Sequence, residues 1–194
     1  MQMANTIETE IFLKLFIVLF LLIMENCFFQ SKVKRLNYEG LHLAKKGKHD
    51  EGIKILTQAL ELNCNSEDAL LHRGICYSIK RDYEKAVDDY NRCLSLNPES
   101  GRYYYNRGHL KECIGDTKAA LKDYQHAIKY NSDNYLYYNY YGRLLASIDS
   151  TAAALPFLNV AIEYNAFDRS NVKEEILMLK NRCEEKRNMI KRYE

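Results

Sequence analysis

Tyrosine, histidine, cysteine and aspartate supply the side chains of this chain whose types and spacing could do chemistry. The stretch YLYYNYYGRLL, Tyr135 to Leu145, puts five tyrosines into its first seven residues. Phenols at that density suit a phosphorylation target, a redox relay, a stacking platform for bases, or an aromatic piece of core. His72 and His109, with Cys76 or Cys113 nearby, bring metal-ligating atoms, yet no typical ligand spacing links them. Asp82, Glu84, Asp88 and Asp89 form an acidic group that reads as the solvated face of a helix N-terminal half, where carboxylates complement the dipole. There is no phosphate-cradling glycine loop, nucleophile elbow or HExxH pair. The chain therefore reads as no enzyme, with no catalytic residue, cofactor or metal expected.

Composition narrows the partners. Against 28 Lys+Arg stand 26 Asp+Glu, a formal net charge of +2, too balanced for a surface that neutralises many phosphates, so nucleic acid is disfavoured. Six cysteines without a CxxC spacing indicate free, mostly buried thiols. Two prolines and no Gly/Ser-rich tract leave no linker and favour an all-helical body of one domain in 194 residues.

The segment IFLKLFIVLFLLIM, Ile11 to Met24, is apolar except for Lys14. As a helix it is roughly 21 Å long, short of a hydrocarbon core of about 30 Å. Extension to Phe29 gives roughly 28 Å and includes Glu25 and Asn26. Glu8 and Glu10 precede the run and MENCFFQ follows it, unlike the basic start and small-residue cleavage site of a secretory signal. Lys32, Lys34 and Arg35 follow, which by the positive-inside tendency places the rest of the chain in the cytoplasm. The expectation is an anchor over residues 1–32; the alternative is a periplasmic lipoprotein held through Cys27, or a secreted protein.

Gly40, Gly74, Gly108 and Gly142 recur every 34 residues. Twelve residues later stand Gly52, Ala86, Ala120 and Ala154; sixteen later, Leu56, Tyr90, Tyr124 and Leu158; nineteen later, Ala59, Cys93, Ala127 and Ala161. Small, large and small in fixed phase describe a helical hairpin whose partners approach closely at the small positions and fill the gaps with the large ones. In DYEKAVDDYNRCLSLNP, the residues Tyr83, Ala86, Val87, Tyr90, Cys93 and Leu94 form one helical stripe, which Pro98 ends.

This pattern resembles the tetratricopeptide repeat, a helix-turn-helix unit of 34 residues. Gly74, Tyr77, Ala86, Tyr90 and Pro98 match its motif best. The resemblance implies an α-solenoid of about four hairpins over residues 33–66, 67–100, 101–134 and 135–168, with 169–194 as a C-terminal capping helix. Cys64, Ser132 and Ala166 replace the closing proline, Lys111 replaces an aromatic, and Pro156 is expected to kink the last hairpin's second helix or delay its start. In the cap, Val172, Ile176, Leu179, Cys183, Ile190 and Tyr193 form a stripe, Asn171 and Glu174 suit a capping box, and seven basic residues suit a solvated face.

The resemblance also implies a concave groove that takes a protein or peptide partner, lined by Asn37, Tyr38, Leu41, Leu71, His72, Ile75, Tyr105, Asn106, His109, Asn139, Tyr140 and Arg143. Leu71, Leu136 and Tyr140 stand where the chaperone-tail clamp of some relatives has basic residues, so that mode is not supported. Among the tyrosines, register assigns Tyr104, Tyr138 and Tyr141 to core, Tyr135 and Tyr137 to the seam with the preceding repeat, and Tyr105 and Tyr140 to the groove. The expected function is a membrane-associated interaction scaffold, with envelope assembly in the periplasm as the alternative.

Overall fold

The computed structural model describes the backbone of residues 2–148, 150–164 and 172–192, with side chains from Lys14 onward except at positions 151, 172 and 173. The described residues form helices and no strands: α1 (Gln2–Lys45), α2 (His49–Leu62), α3 (Glu67–Ile79), α4 (Tyr83–Leu96), α5 (Gly101–Ile114), α6 (Thr117–Tyr130), α7 (Tyr135–Ser147), α8 (Thr151–Tyr164) and α9 (Val172–Ile190). Contacts divide the chain into two compact bodies, Met1–Cys76 and Tyr77–Glu194.

The turns inside the hairpins repeat in atomic detail. Four backbone bonds close them: Lys48 N–H to the Leu43 carbonyl at 3.0 Å, Asp82 to Tyr77 at 2.9 Å, Asp116 to Lys111 at 2.9 Å, and Ser150 to Leu145 at 3.0 Å. Each spans five residues back, the outer bond of a Schellman end. That end needs a left-handed residue, supplied by Gly47 (φ 76°) and Gly115 (φ 90°). At the equivalent place the second hairpin uses Arg81 at φ 63°, a conformation that costs an L-residue about 1–2 kcal/mol.

The turns between hairpins end on asparagine. Asn63, Asn97 and Asn131 follow α2, α4 and α6, each donating its N–H four residues back, to Ala59, Cys93 and Ala127. Where the proline is missing, the Asn63 and Asn131 side chains accept from the N–H of Asn65 (3.0 Å) and Asp133 (3.3 Å). These Asx turns stop the helices without a proline.

In the first body, α1 packs on α2. A Cβ at Gly40 would lie 2.5 Å from Leu56 Cγ, so only glycine permits this approach. The α1 helix is continuous through residue 32, where the sequence suggested a boundary between anchor and repeat. Among its described side chains, from Lys14 onward, the first buried one is Val33, whereas Leu15 through Met24 are each about half exposed or more.

In the second body, each helix from α4 to α9 packs on the next. Ala120, Tyr124, Tyr141, Leu145, Leu158, Ile176 and Cys183 join in one core that runs from α6 to α9. Ile176 and Cys183 are buried and Leu179 packs beside them, while Ile190 is exposed and leaves the expected stripe. Asn171 and Tyr193 lie outside the described residues. Pro156 neither delays nor interrupts α8, which starts at Thr151. The donor it lacks would have served the Ala152 carbonyl, and Ala152 is exposed to water.

Two polar positions depart from the sequence reading. Asp89 is buried rather than solvated. Its repeat equivalent, Asp123, is buried too, and Lys111 answers it with charge. Arg107 donates to both Asp123 oxygens at 2.9 and 2.8 Å, and Lys111 Nζ lies 2.8 Å away. The third Arg107 nitrogen donates to Asn91 on α4 at 2.7 Å, so one guanidinium ties α4, α5 and α6.

Asp123→Ala leaves two cations with no carboxylate and is expected to cost about 3 kcal/mol. Chemical denaturation followed by circular dichroism checks this, and a loss below about 1 kcal/mol would mean that water replaces the pair. Arg81→Gly removes the left-handed strain and is expected to stabilise by about 1 kcal/mol, raising the melting midpoint by about 2–4 °C. An unchanged or lower midpoint would show that Arg81 makes a compensating contact.

Candidate functional site

Helices α5 and α7 stand side by side in the second body and turn aromatic rings toward each other. Tyr105 lies 5.2 Å from the Tyr137 ring and 5.3 Å, edge-on, from Tyr140. His109 meets Tyr140 edge-on at 5.4 Å, and Tyr124 reaches in from α6 at 6.2 Å from Tyr105. The first-helix residues thus bring three sequence-selected positions, Tyr105, His109 and Tyr140, into one cluster. Tyr137, assigned to the seam, is buried beneath Tyr105.

The cluster is a poor acid-base device. Burial, together with neighbouring phenols, pushes the Tyr105 hydroxyl well above the usual tyrosine range. Burial and the Glu112 carboxylate do the same to Tyr124, whose hydroxyl donates to Glu112 at 2.6 Å. Both phenols therefore stay neutral at physiological pH. What they offer is rigid, amphipathic contact area.

Arg143 extends the cluster toward α9, its guanidinium 5.5 Å over the Tyr140 ring. Asn139 is 4% exposed and its Oδ1 meets no donor among the described residues. Beside these two, α9 encloses a cleft of about 270 Å³ to which Met178, Leu179 and Arg182 contribute. Asn106 is differently occupied, because its amide nitrogen donates to the Arg102 carbonyl of its own helix at 2.7 Å.

The first body holds the other positions. Tyr38 is exposed and stacks on His42, with ring planes 6° apart at 6.5 Å. The Asn37 amide nitrogen donates to Ser66 Oγ at 2.9 Å, while its Oδ1 is buried without a donor among the described residues. Leu41 and Ile75 are half-buried, and His72 is buried. Leu71 is a correction: at 0% exposure it is core and cannot line an open surface. An apolar residue and a groove residue share the same helical spacing, so its side of the helix was open to either assignment.

Tyr104 and Tyr138, assigned to core, are only half-buried. Tyr104 stacks on His126 at 4.8 Å and Tyr130 at 5.6 Å on the outer side of α6, and Tyr138 sits 5.9 Å from Tyr164. Tyr141 is core, edge-on to Phe157 at 4.6 Å. Sequence reasoning missed the α9 contribution, since Arg182 and Lys186 read as part of a solvated face. Their proximity to Leu179 and Cys183 on the buried stripe is the signal that pointed the other way.

Neither histidine joins a metal cluster, as no group of three or more ligating residues forms among the described residues. The three cysteines Cys76, Cys93 and Cys183 are buried, and burial pushes the Cys76 thiol up to about 11, away from reactivity.

Family models for the tetratricopeptide repeat match residues 67–100 and 101–134. No curated protein matches the chain. Among solved structures, MamA from Desulfovibrio magneticus RS-1 is 18% identical, with a TM-score of 0.63 over 71% of this chain and 78% of its own. YrrB, a tetratricopeptide protein with an unusual peptide-binding site, is 18% identical, with a TM-score of 0.63 over 82% of this chain and 84% of its own. The first such domain of Spaghetti (RPAP3), solved with an HSP90 peptide, is 22% identical, with a TM-score of 0.58 over 61% of this chain and 94% of its own. At these identities the likeness is one of fold. Residues 67–134 match two consecutive tetratricopeptide repeats, and the chain has the all-α architecture of the helical solenoids built from them.

Proposed function

We propose that this chain is a non-catalytic scaffold that holds a polypeptide partner on the face formed by α5, α7 and α9 and is tethered to a membrane through α1. The observation that carries the first half is the Tyr105–His109–Tyr140–Arg143 run beside the unsatisfied Asn139 oxygen. Rings give contact area at low entropic cost, and an amide oxygen suits a main-chain donor. That YrrB and RPAP3 are described with peptides supports the reading without identifying a partner for this chain. In the first body, Asn37, Tyr38, Leu41, His72 and Ile75 belong to the same proposal by register alone.

The second half rests on α1. Among the described residues, the helix from Lys14 onward is long and apolar enough to cross a membrane, with 6% of its most apolar window buried. We assign residues 1–32 to the anchor, 33–168 to four repeats and 169–194 to the cap. The basic residues Lys32, Lys34 and Arg35 favour a cytoplasmic repeat region. Exposed Cys27 keeps a lipid-anchored, periplasmic protein as the alternative.

Proteins co-purifying with the full chain from its own cells are expected to be lost on Tyr105→Ala with Tyr140→Ala, while helicity by circular dichroism is retained. An unchanged set of partners would move the binding surface off this face. For the anchor, Leu19→Arg with Leu22→Arg costs about 3 kcal/mol per charge at the centre of a span. This variant should leave carbonate-washed membranes that retain the unmodified chain. Retention of the variant, combined with release on Cys27→Ala, would establish the lipid anchor instead.

A further inference from the structure

Two adjoining clefts of about 270 and 290 Å³ lie between α7 and α9, and Arg143, Leu179 and Arg182 line both. Lys186 adds a third cationic side chain at the second cleft, and Glu175 is the one acidic residue lining the first. Glu175 and Arg182 are seven residues apart on one helix, about 10.5 Å along its axis, and they form no ion pair with each other among the described residues. The ion pairs among the described residues leave Arg143 and Arg182 with no carboxylate.

The Arg143 guanidinium is held against the Tyr140 ring, 5.5 Å from its centroid. A cation–π contact does not consume the N–H fork, which stays available to a carboxylate. Asn139, in the same wall, is 4% exposed, and its Oδ1 has no donor among the described residues. A buried acceptor without a donor is destabilising until a ligand supplies one. Leu179 and Met178 give the cleft an apolar wall beside these polar atoms.

The geometry points to a subsite for an acidic side chain carried on an extended polypeptide. With a shift of the Asn139 side chain that uncovers it, Oδ1 accepts from the ligand's main-chain N–H, and the ligand's Asp or Glu carboxylate accepts from Arg143 and Arg182. An adjacent aliphatic side chain lies on Leu179 and Met178. This deepens the proposal that the α5–α7–α9 face binds polypeptide, and it depends on that reading.

The probe is a bead-bound decapeptide library with blocked termini, so that every carboxylate belongs to a side chain, screened with the full chain in mild detergent. Retained peptides are expected to be enriched in Asp or Glu next to Leu, Ile or Met. Arg143→Glu with Arg182→Glu, both exposed positions, should weaken a retained peptide at least ten-fold with helicity unchanged, and Glu→Gln in the peptide should do the same. Arg182→Gln gives a milder control, with a smaller loss that shrinks further at high salt. Peptides retained without acidic enrichment, or acidic peptides indifferent to the charge reversal, overturn the subsite and leave the binding face standing. A library from which nothing is retained overturns both.

Discussion

Two helices can share a buried seam only if their axes come close, and that requirement sets the rest of this fold. Gly40, Gly108 and Gly142 stand where a Cβ would press on Leu56, Tyr124 and Leu158. Because the small residue on one helix faces the large residue on the next, the α1–α2, α5–α6 and α7–α8 hairpins each close in the same register. The same turn bond recurs with that register, and in the second body α5 and α7 come side by side. The binding face proposed for α5 and α7 is a by-product of that stacking, since side chains turned away from the seam are brought beside their counterparts one repeat on.

Charge is handled by the same geometry. Asp123 is buried against α5, where an isolated carboxylate would be unstable, and its environment supplies two cations. The Arg107 fork reaches Asp123 on one side and Asn91 on the other. A salt bridge so placed adds less to stability than to uniqueness: a helix slipped by one turn would leave the carboxylate unpaired. Arg143 differs in kind. It lies over an aromatic ring and pairs with no carboxylate among the described residues, which suits the recognition role proposed for it.

Much of the fold was legible because it rests on intervals. The 34-residue spacing located the hairpins, Pro98 marked the end of α4, and the i, i+4 pair Tyr141 and Leu145 gave the inward side of α7. What was not legible depends on partners distant in sequence. Asp89 reads as one carboxylate among several on a helix surface, and only the folded structure makes it an interior residue. Leu71 matches a groove position and a core position equally well. The candidate site was half legible: Tyr105, His109, Tyr140, Asn139 and Arg143 follow from register, but Arg182 lies beyond the last repeat, where no period assigns it a direction.

The continuity of α1 has a mechanical meaning. A helix that runs unbroken from Gln2 to Lys45 contains no swivel between its apolar half and the residues that pack on α2. From Phe29 to Val33 is about 6 Å of helical rise. Such a stem transmits tilt and torque, so the first hairpin takes its orientation directly from the helix that carries it instead of tumbling on a leash. In a bilayer the α1–α2 pair would stand at headgroup level, at a height set by side-chain packing rather than by the entropy of a linker.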